Sequence, residues 1–389
     1  MRGGRSWPPL WEASRVFGLR SFTIGTFFGI PLEVNSSWFL VFFLVAFTLS
    51  TSYLPAAMPG EPPAVHVFVA LAMTAAFFAS IVLHEFAHSL VARAGGLKIS
   101  RITLFVFGGV SQMDDEPTGP GLEFLMAFAG PAMSLVLSGV FFGVMALMKS
   151  AQVASALLIP VQYLAYINLS VAVFNLLPGF PLDGGRVLRS ILWAVTHDML
   201  KATRWASRMG QLLGYALISI AVVGVLNGSL DLIWFAVMGW FLSTLAGAAY
   251  QQQLLKVRLS EVPLSSVMSS PVAFVTSETT LEEMAHSYFL GGRHSRYPVV
   301  SEGKVIGLIE LQTMRDMPRD EWAAATVGEA AHTDLAAVVA TPEVTVDRIL
   351  SRLEPNGPGA VLVVEDGRLA GIVTRADVIR LVSSMDRQT

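Results

Sequence analysis

Apolar residues fill six stretches long enough to cross a bilayer, at 37–54, 65–92, 124–148, 154–177, 209–226 and 230–250. Spanning a hydrocarbon core of about 30 Å takes about 20 residues of helix, so the pattern predicts six transmembrane helices. Between the second and third, residues 102–112 (ITLFVFGGVSQ) are β-branched, aromatic and glycine-bearing, too short to span and too apolar for an ordinary loop. They are expected to form a re-entrant β segment lining an internal cavity, because non-helical backbone at membrane depth persists only where protein or trapped water satisfies it. A short amphipathic hairpin on the cytoplasmic surface is the alternative.

After residue 250 the pattern changes. QQQLLKVR is polar, no later stretch could span, and short β-branched runs alternate with helical ones from about Pro263. The run YPVVSEGKVIGLIELQTM at 297–314 aligns with VLVVEDGRLAGIVTRADV at 361–378 at a shift of 64 residues, with Gly303 on Gly367 and Gly307 on Gly371. Such a unit reads as helix, strand, glycine turn, strand, helix, used twice. The chain is therefore expected to comprise an N-terminal segment at 1–34, a membrane domain at 35–250, a linker at 251–262, and repeats at 263–318 and 326–384.

Composition agrees, with 53% hydrophobic and only 14% charged residues, where soluble domains carry roughly 25% charged. So apolar a chain excludes a long disordered protein, and a net charge of −3 gives no reason to expect a nucleic-acid partner. How the basic residues are distributed says more. Arg2, Arg5, Arg15 and Arg20 precede the first span with no cleavage site, so this end is expected to stay on the mature chain, in the cytoplasm. The loops after spans two, four and six then face the same side. They hold Arg93, Lys98 and Arg101, then Arg186, Arg189, Lys201, Arg204 and Arg208, then Lys256 and Arg258, whereas the opposite loops hold almost only Lys149. By the positive-inside rule, the tail is expected to be cytoplasmic as well.

Cysteine is absent, which removes disulfides, thiolate nucleophiles and cysteine metal sites and leaves His, Asp and Glu as candidate ligands. Inside the second span stands His84-Glu85-Phe86-Ala87-His88, an H-E-x-x-H run. On a helix its two histidines lie one turn apart on one face and can converge on one ion, with Glu85 placed to reach a water there. Three ionisable side chains in a membrane helix are costly and by default face a polar cavity or a partner. An open catalytic zinc site needs a third protein ligand. The run NLLPGFPLDGG at 175–185 offers Asp183, after two prolines that end the fourth span and before glycines that allow close backbone approach and a new helix.

Together the two motifs resemble the site-2 protease family of intramembrane zinc metalloproteases. The resemblance implies that His84, His88 and Asp183 ligate one Zn2+, that Glu85 is the catalytic glutamate and that Asn175 assists at the scissile carbonyl. It also matches Phe107-Gly108-Gly109-Val110 in the re-entrant segment, where Gly108, Gly109 and Val110 would hold substrate as an added strand, and a helix-breaking Gly130-Pro131. The substrate implied is a membrane protein with a transmembrane helix, including membrane-tethered regulators of transcription, cut within the bilayer.

The repeated tail resembles a tandem pair of CBS domains, modules that commonly bind adenine nucleotides. That resemblance implies ATP or AMP at Thr374 and Asp377, and a homodimer through the tail. In the first repeat the corresponding places hold Glu310 and Thr313, which leaves a nucleotide there in doubt. The expected fold is thus a polytopic α-helical membrane protein with a re-entrant β segment, plus a soluble α/β tandem CBS domain, in a bacterial or archaeal cell membrane. Two rival functions stay open at the level of sequence: a CBS-regulated channel or transporter, and a catalytically silent zinc-binding relative of the proteases.

Overall fold

The computed structural model describes residues 21–105, 108–113, 116–289, 295–315, 317–353 and 359–385. The chain divides into two compact units, Met1–Gln251 and Gln252–Thr389.

The first unit opens with strands β1 (Ser21–Phe27) and β2 (Ile30–Asn35). They are joined through Phe28 and Gly29, whose φ values of 51° and 74° suit the two-residue hairpin turn that matches strand twist. Asn35 then accepts from the Ser37 amide and caps helix α1 (Ser36–Ala57), which contains a wider turn at Leu49–Tyr53. Helix α2 (Pro63–Ala94) begins with proline, whose missing N–H costs nothing there. It ends where Gly96 takes φ 87° and Leu97 N–H bonds back to the Ala92 carbonyl.

Strands β3 (Ile99–Phe105) and β4 (Gly108–Met113) follow, and the sheet order is β1-β2-β3-β4 with β2 and β3 parallel. Residues 102–105 and 108–112 therefore lie in two paired antiparallel strands of a four-stranded sheet, with β4 at the sheet edge. Val106 and Phe107 lie outside the described residues. One face of the sheet buries Ile30, Leu32, Val34, Ile102 and Leu104 against Phe86 of α2. That apolar contact sets the sheet beside the H-E-x-x-H turn.

Next come α3 (Pro120–Ser150), α4 (Ser155–Asn175), α5 (Asp183–Thr196), α6 (Met199–Leu226) and α7 (Ile233–Ser260). Among the described residues, six helices are long and apolar enough to cross a membrane. Helix α3 runs unbroken through Pro131, so the Gly130-Pro131 pair does not break it. Helix α6 starts ten residues before its apolar run, and α7 continues through the polar 251–260 that the sequence reading gave to a linker. Hydropathy reports which part of a helix suits lipid, not where its hydrogen bonding stops.

In the second unit, β5 (Val275–Thr276), β6 (Arg296–Ser301) and β7 (Lys304–Glu310) form one sheet, followed by the short helix α8 (Leu311–Arg315). Strands β8 (Val339–Ala340), β9 (Ala360–Glu365) and β10 (Arg368–Thr374) form the other, followed by α9 (Arg375–Met385). The repeat extends to turn geometry: Glu302-Gly303 has φ 50° and 79°, and Asp366-Gly367 has 49° and 79°. A shared apolar cluster of Val300, Leu308, Val338, Ala360 and Leu362 joins the two repeats into one body.

Candidate metal centre and active site

Helix α2 brings the imidazoles of His84 and His88 together inside the first unit, both buried, with their Nε2 atoms 3.1 Å apart. Asp183, the first residue of α5, places Oδ2 3.2 Å from His84 Nε2 and 3.3 Å from His88 Nε2. Among the described residues this is the one group of three His or acidic side chains arranged to hold a metal ion.

Its chemistry fits zinc. Around a tetrahedral Zn2+ with ligands at about 2.0–2.2 Å, adjacent donor atoms stand about 3.3–3.6 Å apart, close to the observed triangle. His88 Nδ1 lies 2.6 Å from the Met126 carbonyl, which can only accept, so this nitrogen carries the proton and Nε2 keeps its lone pair. His84 Nδ1 is held 2.9 Å from Ser134 Oγ. Two imidazole nitrogens and a carboxylate oxygen thus converge on one point, the donor set of an open zinc site. Gly130 leaves the space above them: a Cβ there would fall 2.1 Å from His88 Nε2 and 2.5 Å from His84 Nε2.

Helix α3 therefore does three things from one face. Met126, Gly130 and Ser134 recur every four residues, so a carbonyl, a gap and a hydroxyl all point at α2. The sequence reading missed Met126 and Ser134 and took Gly130 for a helix breaker. The available signal was the continuation of that face to Ser138, which donates to the Ala165 carbonyl at 2.9 Å. Small and polar residues at such spacing mark the protein-facing side of a membrane helix.

Glu85 points toward the sheet. Ser111 of β4 donates to Glu85 Oε2 at 3.4 Å and lies 2.9 Å from Ser89 Oγ. Gly109 sits so close that a Cβ there would lie 2.3 Å from Glu85 Cγ. Gly108 opens β4 with φ 125°, a value that favours glycine. Val110 pairs with Thr103 across the hairpin, and its side chain lies outside the described residues.

Backbone contacts and a buried ion pair fix Asp183. Cβ atoms at Gly184 and Gly185 would lie 2.4 Å from the Leu176 carbonyl and 2.3 Å from Phe180 N, so these glycines allow the fold-back that the sequence anticipates. On the far side, a Cβ at Gly179 would meet Gly210 N of α6 at 2.5 Å. Gly210 and Gly214 are packing positions, the first receiving this loop and the second lying against the Gly239 carbonyl of α7. Arg189, two turns into α5, donates from Nε to Glu123 Oε1 of α3 at 2.6 Å. Glu123 is wholly buried, and its Oε2 has no hydrogen-bond partner among the described residues.

Asn175 ends α4, and its amide donates to the Val171 carbonyl at 3.0 Å. No hydrogen bond among the described residues joins it to the triad. In the second unit, Asp377 is buried and works as a helix cap: Oδ2 accepts from Thr374 N at 2.9 Å and from Thr374 Oγ1 at 2.6 Å, and Oδ1 accepts from Ser269 Oγ at 3.1 Å. In the first repeat, Glu310 pairs with Arg296 at 3.1 Å.

Family models agree with the two-unit division: that of peptidase family M50 matches residues 72–159 and 143–221, and that of the CBS domain matches 264–317 and 327–384. Rip3 of Mycobacterium tuberculosis is 33% identical over 363 residues, 92% of each chain. The chain belongs to peptidase family M50. Zinc metalloprotease MJ0392 of Methanocaldococcus jannaschii is 29% identical, covering 95% of this chain and 97% of its own. The solved site-2 protease from the same organism is 28% identical and covers 59% of this chain and 95% of its own, with a TM-score of 0.40. As an M50 peptidase carrying tandem CBS domains, the protein is a membrane metalloprotease, which sets aside the channel or transporter reading.

Proposed function

We propose that this protein is a zinc-dependent intramembrane endopeptidase that hydrolyses a peptide bond in or near a transmembrane segment of another membrane protein. His84, His88 and Asp183 are the metal ligands in this reading. The observation that carries it is the triangle of two Nε2 atoms and one Oδ2, 3.1–3.3 Å on a side, beside Glu85 and an edge strand. A zinc ion held there supplies Lewis-acid polarisation of water and of the scissile carbonyl.

Glu85 accepts the proton of the attacking water and returns it to the departing amine, with Ser111 orienting its carboxylate. Asn175 turns from its own helix to donate to the developing oxyanion. The substrate segment unwinds and pairs with β4 along Gly108, Gly109 and Val110, since an edge strand has unpaired backbone groups to offer. Gly109 then brings the added strand against Glu85, because no side chain stands between them.

The basic loops favour a cytoplasmic N-terminus and a cytoplasmic tail in a bacterial or archaeal membrane. The CBS pair binds ATP or AMP near Thr374 and Asp377 and assembles as a homodimer, which would place cleavage under metabolic control in signalling. A Glu85→Gln variant tests the central claim. It is expected to retain zinc at wild-type stoichiometry and to cleave no single-span substrate, whereas undiminished cleavage would remove Glu85 from the chemistry and with it this mechanism.

A further inference from the structure

Away from the metal centre, α6 and α7 enclose a cavity of about 260 Å3. Arg204, Ser207, Arg208 and Gln211 line it from α6 at the spacing of one helical face, and Tyr250 and Gln251 line it from α7. No carboxylate lines the cavity, and neither arginine has a carboxylate partner among the described residues. Gly247 also lines the cavity, and a Cβ there would lie 3.1 Å from Gln211 Nε2. The decisive group is Ser207: only 3% exposed, with its Oγ lacking any hydrogen-bond partner among the described residues. A serine in a helix readily satisfies itself on the carbonyl four residues back, as Thr203 does here at 2.8 Å. A buried hydroxyl left unsatisfied beside two unpaired guanidinium groups calls for an acceptor that the protein does not supply.

The geometry points to a binding site for a phosphate group, and specifically for the head group of an anionic phospholipid. Arginine forks and a hydroxyl are the donors that a phosphodiester accepts from. Depth selects the lipid. On α6 the last charged residue is Arg208 and the apolar run begins at 209, while on α7 the apolar run gives way to Gln251 at the same cavity. Both helices thus pass from lipid-compatible to polar sequence at this level, where head groups lie. Trp205, more than half exposed, has the Arg208 guanidinium 5.5 Å from its ring, the side chain of an interfacial anchor. Leu212 and Tyr215, also more than half exposed, continue from the cavity along the apolar part of α6 and offer a track for acyl chains. Basic pockets between membrane helices bind anionic head groups in this way.

The test titrates phosphatidylglycerol into delipidated full-length protein in a neutral detergent, with bound lipid counted by native mass spectrometry. Phosphatidylcholine and inorganic phosphate form the parallel arms. The expected result is one saturable phosphatidylglycerol site, no comparable phosphatidylcholine site, and binding about 5-fold weaker for each arginine removed, so about 25-fold weaker for Arg204→Gln with Arg208→Gln. Ser207→Ala, which leaves the helix and its charge intact, should also weaken binding, whereas Lys201→Gln, outside the cavity on the same helix, should not. Equal binding of the two lipids, or undiminished binding by both the double variant and Ser207→Ala, would overturn the site. Saturation by inorganic phosphate that phosphatidylglycerol fails to displace would assign a free anion and overturn the lipid.

Discussion

Replacing Gly130 by alanine sets helix stability against the metal centre. The new Cβ would fall 2.1 Å from His88 Nε2, 2.5 Å from His84 Nε2 and 2.6 Å from His88 Cε1, whereas real Cβ contacts essentially never fall below 3.0 Å. The nearest nitrogen must therefore retreat by about 0.9 Å, the difference between 3.0 and 2.1 Å. Neither obvious escape is free. Both rings are tied at Nδ1 to α3 itself, through the Met126 carbonyl and Ser134 Oγ. Backing α3 away pulls on those bonds, and rotating the rings breaks them, at about 1–3 kcal/mol for each buried polar group left unsatisfied. Loss of an outer-sphere partner alone costs about 10–100-fold in metal affinity, so a displaced donor triangle should weaken zinc binding by at least about 100-fold. Alanine meanwhile favours the helix by roughly 0.5–1 kcal/mol over glycine, so the metal-free fold should survive. The assay is zinc content by elemental analysis, together with thermal unfolding of the chelated and zinc-loaded protein in detergent. Wild type should gain stability on zinc addition; Gly130→Ala should match chelated wild type within a few degrees and gain nothing. Wild-type zinc affinity in Gly130→Ala would refute the reasoning, since the ion could then not occupy the space that Gly130 leaves.

Asp183→Ala is expected to lower zinc occupancy along with cleavage, and Asn175→Ala to spare the metal while slowing turnover by about 10²–10³, the usual loss for one oxyanion donor. Elemental analysis beside a cleavage assay separates the two, and full zinc content without Asp183 would place the third ligand elsewhere. Glu123→Gln should destabilise the protein by about 3–5 kcal/mol because it strands the Arg189 charge, whereas Glu123→Leu with Arg189→Met should recover most of that loss; thermal unfolding checks both, and an additive double variant would show that the pair is not coupled. In the tail, Asp377→Ala should abolish nucleotide binding, whereas Ser269→Ala, which removes a hydrogen bond to Asp377 Oδ1 and leaves that oxygen 3.8 Å from the Arg380 guanidinium, should not weaken it. Calorimetric titration with ATP and AMP decides, and unchanged binding by Asp377→Ala would leave that residue only its capping role.

Legibility in the sequence followed the distance over which each feature is encoded. The His84 and His88 pair is local, four residues on one helix, so periodicity alone places both rings on one face. The six spans are likewise local sums of hydropathy, and the repeat in the tail is a comparison of the chain with itself. The partners that aim the rings are tertiary. Nothing near residue 88 announces that the Met126 carbonyl will meet it, and a carbonyl has no side-chain identity to read. Strands β1 and β2 fall, but for Asn35, within the stretch given to the N-terminal segment, although Ile30, Leu32 and Val34 alternate with Pro31, Glu33 and Asn35; Pro31, Gly25 and Gly29 are residue types depleted in strands and mask that alternation. Segment 102–112 shows its β character through its β-branched residues, but pairing with β2 depends on a segment about 70 residues away.

The seat of Asp183 has a consequence for mutational tolerance. Around it, backbone meets backbone: Gly179 against Gly210, Gly184 against the carbonyls of Leu176 and Leu177, Gly185 against Phe180. A contact without side chains has no rotamers to adjust, so it holds position without needing a particular neighbour's shape. For the same reason it cannot absorb one methyl group by repacking. Saturation mutagenesis should therefore find a sharp boundary here, with Gly179, Gly184, Gly185 and, on α6, Gly210 refusing even alanine while the exposed Ile191 and Val195 of α5 accept many replacements. The aspartate's precision rests on what its neighbours lack, and drift in the surrounding apolar sequence can proceed without moving it.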